Sequence, residues 1–130
     1  MQRTKKIVLT QDAPQPIGPY SQAVKAGSFL FCSGQIALDP KSGALAAPDV
    51  EGQTRRVMEN LQAVLQTGGC DFSHVVKTTI FLKSMSDFPK VNEIYGAYFK
   101  KDPPARSTVE VARLPKDVLV EIEAIAVSSA

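Results

Sequence analysis

The clearest patterning lies near the C-terminal end. From Val118 to Val127 the even positions Val118, Val120, Ile122, Ala124 and Ala126 are all apolar, while the odd positions run Leu119, Glu121, Glu123, Ile125, Val127. Side chains alternate between the two faces of a strand, so this run predicts a strand with one buried face. Its second face is too apolar for open solvent, yet carries two carboxylates. Upstream, Ser107 to Ala112 alternates too, with Ser107, Val109 and Val111 on one face and Arg106, Thr108 and Glu110 on the other; Leu114 to Asp117 holds the proline-bearing break. Burying an ionised group is costly without a partner. An arginine at one strand mouth and glutamates in the next strand therefore fit two arrangements about equally: a functional site, or an ion pair on the solvent side of an edge strand.

The remaining elements follow in order. Residues 3–10, RTKKIVLT, predict a short strand, and the proline- and glycine-rich DAPQPIGPY behind it predicts a stiff loop that delivers Tyr20. SQAVKA (21–26) and FLFCSGQIAL (29–38) predict a hairpin turning at Gly27-Ser28. Ser33-Gly34-Gln35 interrupts the second of these strands, as a bulge would or as a close approach of ligand to backbone would. From Val50 to Thr67, Val57, Met58, Leu61, Val64 and Leu65 recur at helical spacing, and Gly68-Gly69 ends the helix. HVVKTTIFLK (74–83) predicts a strand, and SMSDF a cap for a second helix over 88–102. That helix buries Phe88, Val91, Ile94, Tyr95, Tyr98 and Phe99, presents Asn92 and Glu93 to solvent, and carries Lys100 and Lys101 at its end.

The order β-β-β-α-β-α-β-β defines an α+β fold with a mixed or mostly antiparallel sheet of about six strands and both helices on one face. Two short helices cannot cover both faces. The apolar odd positions of the last strand thus predict self-association into a symmetric homo-oligomer, with charged residues near the subunit seams.

Composition narrows the chemistry. The length of 130 residues suits one domain spanning 1–130, and a net charge of +2 without a basic stripe offers no footprint for nucleic acid. Neither a signal-like leader nor a membrane-length apolar run occurs, so the expectation is a cytoplasmic protein with no membrane partner. Cys32 and Cys70 lack metal-ligand spacing and are expected to be free thiols, and His74 has only Asp71 beside it, which argues against a metal site.

Taken together, IGPYSQAV (17–24), SGQI (33–36), VVKTTIFL (75–82), VNEIY (91–95), PPARSTVEVARLPKDV (103–118) and VEIEAIA (120–126) closely resemble the RidA (YjgF) family of 2-iminobutanoate/2-iminopropanoate deaminases, nearly end to end. The resemblance implies a chorismate-mutase-like α+β fold and a homotrimer with three interfacial clefts. It also implies hydrolysis of reactive enamine and 2-imino acid intermediates to 2-keto acids and ammonia without a cofactor. By matching motif, Arg106 resembles the residue that grips the substrate carboxylate. Glu121 resembles the residue that activates water, with Glu123 its rival, and Tyr20, Ser33, Gly34 and Asn92 fall at cleft-lining positions. Backbone at Gly34 and Thr108 is expected to meet the imine end. Thr108 stands where many relatives have cysteine, so thiol chemistry of those relatives is not carried over. Two other functions fit the same resemblance: a non-catalytic small-molecule-binding regulatory trimer and, with less support from charge and composition, a ribonuclease or translation inhibitor.

Overall fold

A computed structural model describes residues 5–128; Arg3 and Thr4 of the first expected strand lie outside them. Six strands, β1 (Lys5–Val8), β2 (Ala23–Ala26), β3 (Phe29–Gln35), β4 (Val75–Leu82), β5 (Ala105–Glu110) and β6 (Val120–Val127), form one sheet in the order β1-β2-β3-β6-β4-β5. All neighbours are antiparallel except β4 and β5, which are parallel. Helix α1 (Val50–Thr67) lies between β3 and β4 in sequence, and α2 (Phe88–Gly96) is the crossover that a parallel β4–β5 pair requires.

The expected periodicities place the core. In β6, Val120, Ile122, Ala124 and Ala126 are buried, and they meet Val57, Met58, Leu61, Val64 and Leu65 of α1 in one apolar cluster with Ile80 and Leu82 of β4. Asp49 caps α1 by accepting from the Gly52 amide at 2.9 Å, and Gly69, at φ 84°, takes the left-handed position that ends it. The interruption in β3 is a bulge: its pairing with β6 shifts between Cys32 and Gln35. Cys32 and Cys70 are free and buried, and burial pushes the Cys32 thiol up to about 12, which keeps it protonated and unreactive.

One expectation changes, and two arrangements that the pattern left open are decided. First, α2 stops at Gly96 instead of continuing to Asp102. Beyond it the chain tightens into turns (Tyr98 amide to Tyr95 carbonyl, 3.0 Å), which lets Tyr98 and Phe99 stack near Phe72 at 5.2 and 5.4 Å; Lys100 and Lys101 therefore do not sit at a helix end. Second, β5 is an edge strand with no core face. Ser107 is exposed and Val109 is 40% exposed, because only β4 flanks β5 and the strand ends at Glu110, before Val111. Third, β5 and β6 are not neighbours, since β4 runs between them.

Candidate functional site

The chemistry-bearing residues gather in two places. On the sheet face not covered by helices, a cleft of about 470 Å³ is lined by Tyr20, Ser33, Gly34, Lys116, Glu121 and Glu123, among others. Buried amides hold its walls. Gln22, 1% exposed, accepts from the Thr10 amide at 2.7 Å and donates to the carbonyls of Thr10 (3.0 Å) and Pro14 (2.9 Å), pinning the proline-rich loop that leads to Tyr20. Its own carbonyl accepts from the Ser33 amide at 2.9 Å, and the Ser33 hydroxyl donates to the Ser21 carbonyl at 2.6 Å. That hydroxyl is thus committed to scaffolding. Asn60 of α1, fully buried, donates to the Ile36 and Leu38 carbonyls, both at 3.1 Å, and fixes the opposite wall.

Gly34 sits at the bulge with the Glu121 carboxyl directly against it: a Cβ there would overlap Oε2 and lie 2.9 Å from Cδ. Burial, and then the neighbouring Glu123, push the Glu121 carboxyl above the ordinary carboxylate range. Glu123 is exposed, so of the two glutamates only Glu121 combines partial desolvation with the bulge. Lys116 reaches this cleft from a turn in which both Lys116 and Asp117 are left-handed, at φ 55° and 56°. A forked ion pair from Arg113 Nε to Asp117 Oδ1 at 2.8 Å steadies that costly pair.

The second cluster lies on the helix-bearing face at the β5 edge. Arg106 Nη1 donates to Asn92 Oδ1 at 2.7 Å, and the guanidinium carbon stands 5.2 Å from the Phe88 ring centre and 5.1 Å from that of Tyr95. Among the described residues no carboxylate pairs with Arg106. Thr108 shares that face of β5, and its hydroxyl is the one buried side-chain polar atom without a hydrogen-bond partner among the described residues. An uncompensated guanidinium beside an unpartnered hydroxyl is an arrangement that a small anion with several acceptor atoms would complete.

One chain does not unite the two clusters. Glu121 is level with Phe81, and Phe81 with Val109, so Glu121 and Arg106 differ by two strands and three residues, or about 10 Å in each direction, and they face opposite sides of the sheet. The structure thus brings Tyr20, Ser33, Gly34, Glu121 and Glu123 together, and Arg106, Asn92 and Thr108 together. Sequence reasoning missed Lys116, Gln22 and the pairing of Phe88 and Tyr95 with Arg106. Two successive left-handed non-glycine residues leave no sequence signal, and the burial of Gln22 is not marked by the short SQAVKA pattern that contains it.

Fold and clefts together define a small α+β protein with cavities scaled to a metabolite. Residues 10–128 match the family described as endoribonuclease L-PSP, and the chain belongs to that family, which is the RidA family of the resemblance above. It is 56% identical over 122 residues to a RutC family protein of Pyrococcus horikoshii, covering 94% of this chain and 97% of that one. It is 51% identical over 125 residues to a protein of Salmonella typhimurium named 2-iminobutanoate/2-iminopropanoate deaminase, covering 94% and 97%. The crystal structure of E. coli TdcF with bound serine superposes with a TM-score of 0.91 at 46% identity, covering 95% of this chain and 99% of that one.

Proposed function

We propose that the protein hydrolyses 2-imino acids such as 2-iminopropanoate and 2-iminobutanoate to 2-keto acids and ammonia, in a homotrimer whose clefts join the Arg106 cluster of one subunit to the Glu121 cluster of the next. The observation that carries this reading is the split site. A guanidinium with no acidic partner and a partly desolvated carboxyl sit on opposite faces of the same sheet, so only a second copy can bring them together. Uncovered apolar side chains support such a contact: Phe29, Phe31 and Val109 are 46%, 45% and 40% exposed. The name of the Salmonella relative and the amino acid bound to TdcF support a ligand of this size carrying a carboxylate.

The chemistry moves only water and protons. Arg106 holds the substrate carboxylate through forked, charge-assisted hydrogen bonds, which fixes the C=N carbon in space. Glu121, ionised, takes a proton from water as the oxygen–carbon bond forms, and the nitrogen gains a proton from solvent as the C=N π bond breaks. The carbinolamine then collapses: the proton returns from Glu121 to nitrogen, the C–N bond breaks with loss of ammonia, and the hydroxyl proton passes back to solvent to give the keto acid. Tyr20 borders the pocket, and the Gly34 and Thr108 backbone contacts the imine end.

The base must be ionised, and its carboxyl holds its proton more tightly than a free glutamate. Activity is therefore expected to fall as pH drops through a value above the ordinary glutamate pKa of about 4.3,. Glu121→Gln should remove that acid limb and lower kcat by roughly 10²–10⁴-fold, the usual span for a positioned base. The measurement is 2-keto acid formation from imine freshly made by an amino-acid oxidase, with semicarbazide as the competing trap and the spontaneous rate subtracted. Failure of the wild-type protein to suppress semicarbazone formation would sink the deaminase reading. Sedimentation equilibrium tests the assembly, with a mass three times 14.0 kDa expected.

A further inference from the structure

We infer that Phe88 and Tyr95 are positioning residues that hold the Arg106 guanidinium against two aromatic faces and so set the affinity for the substrate carboxylate; this rests on the carboxylate-binding reading of Arg106. Phe88, Asn92 and Tyr95 fall at i, i+4 and i+7 on α2 and form one stripe, so a single helix presents ring, amide and ring to one cation. Tyr95 is fixed at both ends. Its hydroxyl shares a 2.6 Å hydrogen bond with the buried Thr78 Oγ1, and Thr78 is the register partner of Arg106 across the β4–β5 pair. The contacts thus close a circuit from Arg106 backbone to Thr78, to the Tyr95 hydroxyl, through the ring, and back to the guanidinium.

Every member of this cradle is uncharged. Burial pushes the Tyr95 phenol above its ordinary value, so it stays protonated at neutral pH and does not compensate the arginine. A carboxylate in the same place would order the guanidinium equally well but would compete with the substrate for its N–H groups. Aromatic faces attract the cation and restrict its rotamers while leaving donors beyond the one used by Asn92 available. The carboxylate is bound alike before and during water attack. Loosening the cradle is therefore uniform binding loss, which raises KM and leaves kcat alone.

The test uses the intact oligomer of Phe88→Leu, Phe88→Tyr, Tyr95→Phe and Arg106→Ala, with steady-state imine hydrolysis, binding of 2-ketobutanoate as the probe, and the ¹⁵N–¹H resonance of the Arg106 side-chain Nε. Phe88 is only partly buried, so its leucine variant is expected to assemble. Phe88→Leu should raise KM and the 2-ketobutanoate Kd about tenfold with kcat within twofold, and should shift the Nε resonance as the ring current is lost. Phe88→Tyr should restore all three. Tyr95→Phe, which keeps the ring but frees it from Thr78, should raise KM about threefold. In an Arg106→Ala background, Phe88→Leu should weaken 2-ketobutanoate binding no further. A wild-type KM and Nε position in Phe88→Leu, or an additive loss in the double variant, overturns the cradle while leaving the deaminase reading intact. Wild-type kcat/KM in Arg106→Ala overturns the carboxylate-binding reading of Arg106 on which the cradle rests. The deaminase reading is tested separately by the wild-type protein's suppression of semicarbazone formation.

Discussion

Replacing Arg106 with alanine is expected to abolish most imine hydrolysis while leaving the protein folded and assembled. The loss should come from substrate binding. Removing one partner of a desolvated, hydrogen-bonded charge pair costs about 2–5 kcal/mol, which is roughly 30-fold to a few thousand-fold in kcat/KM. The fold should tolerate the change because Arg106 is exposed, lies on an edge strand, and makes only one side-chain hydrogen bond, donated to Asn92, and contacts with two rings. Arg106→Lys should recover only part of the activity, since an ammonium is a point charge without the fork that matches a carboxylate. Kinetics set beside a thermal melt and a sedimentation run decide the matter. Near-wild-type kcat/KM in a correctly assembled Arg106→Ala protein would remove Arg106 from the site.

Gly34→Ala should be almost as damaging for a different reason. The added methyl would occupy the space of Glu121 Oε2 and stand 2.9 Å from Cδ and 3.0 Å from Cγ, closer than packed carbons approach. The φ of Gly34 is not in the left-handed region, so alanine fits the backbone, and the Glu121 side chain is what must yield. Activity is expected to drop toward that of Glu121→Gln, roughly 10²-fold or more, with the thermal midpoint nearly unchanged. The double variant Gly34→Ala/Glu121→Gln should be no slower than Glu121→Gln alone, because both act through one carboxyl. Multiplying losses would show that Gly34 serves the reaction independently of Glu121.

Both predictions join residues that the chain alone had already singled out to contacts that it had not. That Gly34 interrupts a strand is visible in Ser33-Gly34-Gln35, but that the gap accommodates Glu121 depends on β3 lying beside β6 with a shifted register. Asn92 read as solvated surface and is indeed exposed; its hydrogen bond to Arg106 arises because α2 crosses back over β4 to reach β5. Alternation placed Ser107, Val109 and Val111 on one face of a strand but is silent on whether anything covers that face, and in the structure Val109 is 40% exposed. The helical reading of 97–102 failed. Tyr98 and Phe99 keep the expected spacing, yet their burial against Phe72 comes from turns that the apolar pattern does not distinguish from continued helix.

Local periodicity, by itself, determined the elements, the α+β class, the core residues of α1 and the buried even positions of β6, because burial of one face repeats every 2 or 3.6 residues and is written into neighbouring positions. The cost of placing charge beside apolar strands also drew notice to Arg106 and to the pair Glu121 and Glu123, and the family resemblance then favoured Glu121 of the two. Only the tertiary structure decided that β4 runs between β5 and β6, that Arg106 and Glu121 therefore occupy opposite faces, and that aromatic rings with an amide hold the guanidinium. Strand order is settled by which distant segments best cover each other's apolar faces, a competition among non-local contacts that no local pattern records.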